Sequence, residues 1–262
     1  MEYGGETVPV AKLTGSNASG IGGDRSSRDQ ALTAMLRTVK SGRVQHHPFP
    51  HLLIDSILPE EMYHEMITSL PPWSQMRPIA LSGADLSAYN RRSSVLIYPV
   101  ISNGGDQGHS SFLQAATLLA SEKLAGAVMN RLGATLTDAM HVEVRMDCDR
   151  AGARMTPHTD SPGKVATLIV YLHSGHRGVE SGTRLMKPRE SWMHARGERD
   201  YSDTSYQHEA DQDFLTACRI PFIPNSALAF MRSPLSFHSY GPVAPQAAPR
   251  YILNLSVKKI DS

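Results

Sequence analysis

The stretch RMTPHTDSPGK carries His158-Thr159-Asp160. Side chains two residues apart at the end of a strand point to one face. An imidazole and a carboxylate on one face supply two of the three ligands of a two-histidine, one-carboxylate facial triad, which leaves open positions on Fe(II) for a co-substrate and oxygen. The bare pattern is weak. With 12 His and 25 acidic residues in 262, about one H-x-(D/E) pair is expected by chance, and His141-Val142-Glu143 is a second. Downstream context separates them. In FHSYGPVAPQAAPRYILNLSV, His238 stands 80 residues after His158 and precedes a Gly-Pro turn, and Arg250 opens a β-rich run 12 residues later. A third imidazole and a guanidinium thus reach the same interior. An Arg fork grips one end of a dicarboxylic acid bidentately and never deprotonates. A comparable offset from His141 leads to His208, in a polar stretch with no strand after it.

The elements that must position these residues follow from patterning. From residue 141 onward, short β-rich runs recur at 141–147, 165–172, 183–186, 214–220, 227–231 and 250–257, separated by turn residues such as Ser161-Pro162-Gly163 and Gly241-Pro242. Such punctuation indicates a sandwich or barrel. Before it come helices. Ser27 to Gln30 fits a capping box opening a helix that ends at Gly42. A short strand at 52–57 precedes a helix begun by Pro59-Glu60-Glu61 and stopped by Pro71-Pro72. A long helix is expected over 112–132, with Gly133 as its stop. A further strand is expected at 94–100, followed by a Gly-rich loop at 103–108 that lacks the Lys and spacing of a phosphate loop. The expected class is α+β, a jelly-roll core over 141–257 with the helical part 26–140 packed on it. Residues 1–25, with six glycines among Ser, Thr and Asn, read as a disordered arm. Residues 187–213 are long and polar for a loop and read as a lid.

Composition sets the outer bounds. Lys and Arg number 26 against 25 Asp and Glu, so bulk charge calls for neither a nucleic-acid nor a membrane partner. No apolar run approaches the roughly 20 residues of a membrane span, and the N-terminus carries no apolar leader. Two cysteines exclude a disulfide scaffold. A cytoplasmic protein is the expectation.

HTDSPGKVATLIVYL, GTRLMKP and FHSYGPVAPQAAPRYILNLSV resemble the Fe(II)/2-oxoglutarate-dependent oxygenases of the prolyl-hydroxylase-like group, over roughly residues 141–257. The resemblance implies a double-stranded β-helix and a set of roles. His158, Asp160 and His238 match the iron ligands and Arg250 the residue that binds the distal carboxylate of 2-oxoglutarate. Tyr171 matches a donor to that carboxylate and Asn254 a polar position in the co-substrate pocket. It also implies Fe(II), 2-oxoglutarate and O2 as the working set, with succinate and CO2 released. The interval between His238 and Arg250 is longer than in many relatives. Relatives that halogenate carry a small residue where Asp160 stands, so hydroxylation is the expected outcome.

The absence of an attached recognition module favours a small-molecule substrate, an amino acid or an amino-acid-derived or secondary-metabolite compound. A peptidyl (prolyl-type) hydroxylase is the alternative. A non-catalytic ligand-binding barrel and an iron dioxygenase that needs no 2-oxoglutarate complete the set. Arg145 and Arg184, each on a β-rich run, are candidates to bind an acidic substrate group, against a solvated surface role. Oligomeric state is not readable from the sequence.

Overall fold

One strand shows how the molecule is layered. In β5 (Met140–Asp149), Val142, Val144, Met146 and Cys148 enter one apolar core, while Glu143, Arg145, Asp147 and Asp149 occupy the opposite face. That is the period-two alternation of a strand with two different environments. In β12 (Arg250–Lys259), antiparallel to β5, Leu253, Leu255 and Val257 join the same core, and Arg250, Ile252, Asn254 and Lys258 turn the other way. β7 (Lys164–His173) repeats the pattern, with Leu168, Val170 and Leu172 on the core side and Ile169 and Tyr171 on the other.

The computed structural model describes residues 25–70, 76–78, 92–98, 111–173, 178–196, 210–244 and 249–260. Its remaining strands are β1 (Arg43–Gln45), β2 (His51–Ile54), β3 (Arg77–Pro78), β4 (Arg92–Tyr98), β6 (Met155–His158), β8 (Gly178–Pro188), β9 (Phe214–Phe222), β10 (Ala227–Met231) and β11 (His238–Tyr240). They form an eight-stranded sheet in the order β1-β2-β10-β7-β12-β5-β4-β3 and a four-stranded sheet in the order β6-β11-β8-β9. All the recorded pairings are antiparallel. The sheets meet face to face where Ile169, Tyr171, Phe230 and Ile252 of the large one pack against Leu185, Ile220 and Phe222 of the small one. Helices α1 (Arg25–Ser41), α2 (Glu60–Thr68), α3 (Ser111–Leu119) and α4 (Glu122–Arg131) cover the outer apolar face of the large sheet through residues such as Met35, Met66, Phe112 and Leu124. The mixed class expected from the sequence is present, but the order is interleaved: four of the eight strands of the large sheet, β1 to β4, come from before residue 140 and alternate with the helices, so the strand core is not confined to 141–257.

Several boundaries differ. The helix expected over 112–132 is two helices, broken at Ala120-Ser121, where the Ser121 hydroxyl accepts from the Leu124 amide and caps α4. Apolar spacing runs through the break, so periodicity alone does not register it; the Ser-Glu start signal does. The first helix begins at Arg25, two residues before the expected capping box, which places Ser27 inside it. The lid expected at 187–213 is partly regular structure. Lys187 and Pro188 finish β8, and α5 (Glu190–Arg196) buries Trp192 against Phe214 and Phe237. Residues 197–209 of that segment lie outside the described residues, as do 1–24 of the expected arm and the loop at 103–108. No helix among the described residues is long and apolar enough to cross a membrane.

Candidate active site

His158 ends β6 and His238 begins β11, and the two are register partners across that antiparallel pair. Their rings lie 4.2 Å apart, centroid to centroid. Asp160 follows His158 by two residues, and the ligand-capable atoms of all three residues lie within 4.8 Å of one another, every one of them buried. Each imidazole is steered by a main-chain carbonyl two residues before it. His158 Nδ1 stands 2.9 Å from the Thr156 oxygen and His238 Nδ1 3.2 Å from the Ser236 oxygen. A carbonyl only accepts, so each Nδ1 carries a proton and, in the neutral ring, Nε2 is the nitrogen with the lone pair. Fixing the tautomer from behind in this way is the usual support of a metal-binding histidine.

The carboxylate is held as firmly. Lys164 Nζ donates to Asp160 Oδ1 at 2.8 Å and Thr167 Oγ1 to Oδ2 at 2.6 Å. Burial alone would raise the Asp160 carboxyl. The Lys164 ammonium, His238 and these two hydrogen bonds outweigh it and keep the group well below the usual carboxylate range. Burial pushes His238 below its ordinary value, against the pull of Asp160 and the Ser236 carbonyl. The trio therefore presents two imidazoles and one anionic carboxylate, with lone-pair directions to spare on Asp160. That donor set suits a divalent transition metal and, with two nitrogens and one oxygen on one side, leaves the other side open.

A cavity of about 450 Å³ joins this trio to Arg250, and Ile169, Thr183, Ile252 and Asn254 form part of its wall. Arg250 is 2% exposed. Its guanidinium lies between the rings of Tyr240 and Phe222, at 4.5 and 5.5 Å, and Nη1 donates to Asp149 Oδ2 at 2.6 Å. Nε has no partner among the described residues. A buried guanidinium in a cavity wall, with an N–H left over, is suited to gripping a carboxylate.

Of the sequence-predicted residues, His158, Asp160, His238, Arg250, Asn254 and Arg145 all line this cavity. Tyr171 is fully buried behind it. Its hydroxyl, pushed up to about 12 by burial against the Thr183 hydrogen bond, stays protonated and donates to Thr183 Oγ1 at 2.7 Å. Thr183, not Tyr171, thus presents the oxygen to the cavity. Gly182 permits that placement, since a Cβ there would stand 1.7 Å from the Ile220 carbonyl oxygen of β9. Arg184 is not brought to the site. Its neighbours Thr183 and Leu185 face inward, and alternation turns Arg184 outward to within 3.5 Å of Asp211.

Sequence reasoning missed Arg92, Asp147, Asp149 and Tyr240. Arg92 clasps Asp149 through Nε (2.6 Å) and Nη2 (2.9 Å) and reaches Asp147 through Nη1 (3.3 Å). Tyr240 donates to Asp149 Oδ1 at 3.0 Å. The available signal was the alternation of β5, where every second residue from Glu143 to Asp149 is charged; Arg92 carried none.

No family model and no curated protein matches the sequence. Solved structures do resemble it. A Trichoplax adhaerens prolyl hydroxylase, in complex with a peptide of the hypoxia inducible factor oxygen degradation domain, aligns over 92% of this chain and 94% of its own at 13% identity, with a TM-score of 0.54. The epimerase SnoN, in complex with Fe3+, alpha ketoglutarate and nogalamycin RO, aligns over 90% and 85% at 13% identity, TM-score 0.51. A Pseudomonas putida prolyl-4-hydroxylase aligns over 87% and 99% at 12% identity, TM-score 0.50. The likeness is one of fold, and it spans most of the chain.

Proposed function

We propose that the chain is an Fe(II)- and 2-oxoglutarate-dependent oxygenase, one catalytic domain on a double-stranded β-helix. In this reading it hydroxylates a small molecule, an amino acid or an amino-acid-derived or secondary-metabolite compound. The observation that carries the reading is a single cavity with the His158–Asp160–His238 trio on one wall and the buried Arg250 with its unpaired Nε on another. Either feature alone has other uses. Together they match the two needs of this chemistry, a metal with open positions and a grip on a dicarboxylic co-substrate.

His158 and His238 offer Nε2 and Asp160 a carboxylate oxygen to the iron. When bound there, iron supplies the oxygen-activating chemistry that converts 2-oxoglutarate to succinate and CO2 and oxidises the substrate. The chain's own residues do the positioning. Lys164 and Thr167 keep Asp160 ionised and aimed. Arg250 takes the distal carboxylate of 2-oxoglutarate, flanked by Thr183, whose hydroxyl Tyr171 orients from behind. Ile169 and Ile252 give that end dry walls, which strengthens each charge-assisted contact inside. A peptidyl substrate is the second reading, favoured by the peptide held in the Trichoplax structure; the modest cavity favours the small molecule.

Asp160→Ala tests the assignment. It is expected to lower succinate formation from 2-oxoglutarate by at least about a hundredfold, with an unchanged circular dichroism spectrum. A folded Asp160→Ala protein that turns over normally contradicts the metal centre.

A further inference from the structure

The Arg250 end of the cavity is the first rung of a ladder of alternating charge. It runs along the inner face of β5, from Arg250 to Asp149, Arg92, Asp147 and then Arg145. Asp149 accepts four hydrogen bonds, two from Arg92 and one each from Arg250 and Tyr240. Asp147 accepts four as well, from Ser94, Arg92 and two nitrogens of Arg145, at 2.8 and 3.3 Å. Both carboxylates are closed to solvent and, with four hydrogen bonds each, have no lone pair left for a ligand. The ladder ends on a guanidinium at each side. Arg250 is sealed within, whereas the Arg145 side chain is 34% exposed and lines the same cavity beside Asn254 and Lys258. With Nε and Nη2 committed to Asp147, the Arg145 fork is held still, and Nη1 has no side-chain partner among the described residues.

Charge bookkeeping gives the ligand's sign. Three arginines and two aspartates make the ladder net positive by one. The remaining cavity cations among the described residues are each matched, Lys164 by Asp160 at 2.8 Å and Lys258 by Glu143 at 2.6 Å. If the proposed iron and 2-oxoglutarate are both present, the divalent cation and the dianion cancel. One positive charge then remains among the described cavity residues, a situation that favours a single counter-charge.

We propose that Arg145, supported by Asn254 and Lys258, is the substrate-anchoring site, and that the substrate presents one carboxylate to it. This rests on the oxygenase reading above. An uncharged substrate, or one held by apolar contacts alone, does not fit the unspent guanidinium.

The test uses the full chain with zinc in place of iron, so that no turnover intervenes, and saturating 2-oxoglutarate. Benzoate and benzamide serve as probes of equal shape, their binding followed by saturation-transfer NMR, with 2-oxoglutarate binding measured by calorimetry on the same samples. Benzoate is expected to bind about tenfold more tightly than benzamide, the scale of one charge-assisted hydrogen bond. Arg145→Gln should erase that preference, and Arg145→Lys, which keeps charge but not the fork, should retain part of it. A zinc-loaded protein that fails to bind 2-oxoglutarate overturns the oxygenase reading and the charge balance with it. A protein that binds 2-oxoglutarate but holds both probes alike, or keeps its preference in Arg145→Gln, overturns the Arg145 site alone.

Discussion

At the metal end of the cavity, each imidazole is steered by a carbonyl two residues before it, and Asp160 is held by Lys164 and Thr167, four and seven residues on. At the other end, Arg250 is held by Asp149, 101 residues away, and Asp149 by Arg92, 57 residues away. The first end is organised by local chain geometry and needs the fold only to bring β6 beside β11. The second exists only because β4, β5 and β12 lie side by side. A site can therefore place its metal ligands by short-range rules while leaving its anion receptor to long-range strand pairing.

The contrast predicts where damage spreads. Removing a shared counter-ion from the long-range end should disturb the whole fold. Asp149→Ala leaves Arg92 and Arg250 buried without their common partner, and is expected to cost about 3–5 kcal/mol of stability, measured by urea unfolding. A loss under about 1 kcal/mol would mean that water or a neighbour replaces the carboxylate, and the ladder would not be structural. At the local end, damage should stay local. Thr167→Val removes the 2.6 Å bond to Asp160 Oδ2 while keeping the volume; iron affinity is expected to fall about tenfold, with little change in the unfolding midpoint. A large stability loss in Thr167→Val would erase the contrast between the two ends.

The smallest effect probes the back of the ladder strand. Cys148 sits between Asp147 and Asp149 in sequence but faces the apolar core, where burial raises its thiol to about 11. The neutral thiol persists below that pH, and the thiolate is the reactive form. Iodoacetamide at pH 8 should therefore modify the half-exposed Cys218 first and leave Cys148 intact in the native protein. Equal labelling of both would mean that β5 does not present its two faces as described.

The same contrast explains what could be read in the sequence. The His-x-Asp pair, His238 and Arg250 were legible because strand periodicity and turn residues encode which way they point. Asn254 was named only through the family resemblance, and alternation along β12 puts it on the same face as Arg250. Arg184 stayed open between cavity and surface for want of register: one residue's shift decides between cavity and outer face, and only the pairing of β8 with β9 and β11 fixes it. Arg92 and Asp149 were invisible because their meaning lies in each other. A charged residue on a half-buried strand reads as a solvent face until the opposite sheet is known to cover it. The helix break at Ser121 is the converse case, a local signal outvoted by a long apolar pattern.

The central claim is that one cavity unites a metal site with a 2-oxoglutarate receptor. It is tested most directly by adding Fe(II) and then 2-oxoglutarate to the metal-free protein without oxygen, and recording the visible absorption. The account predicts a metal-to-ligand charge-transfer band that needs both additions, is absent in Asp160→Ala, and in Arg250→Gln requires far more 2-oxoglutarate to form. Iron that binds without a band at any 2-oxoglutarate concentration would contradict it and leave an iron centre that works without this co-substrate.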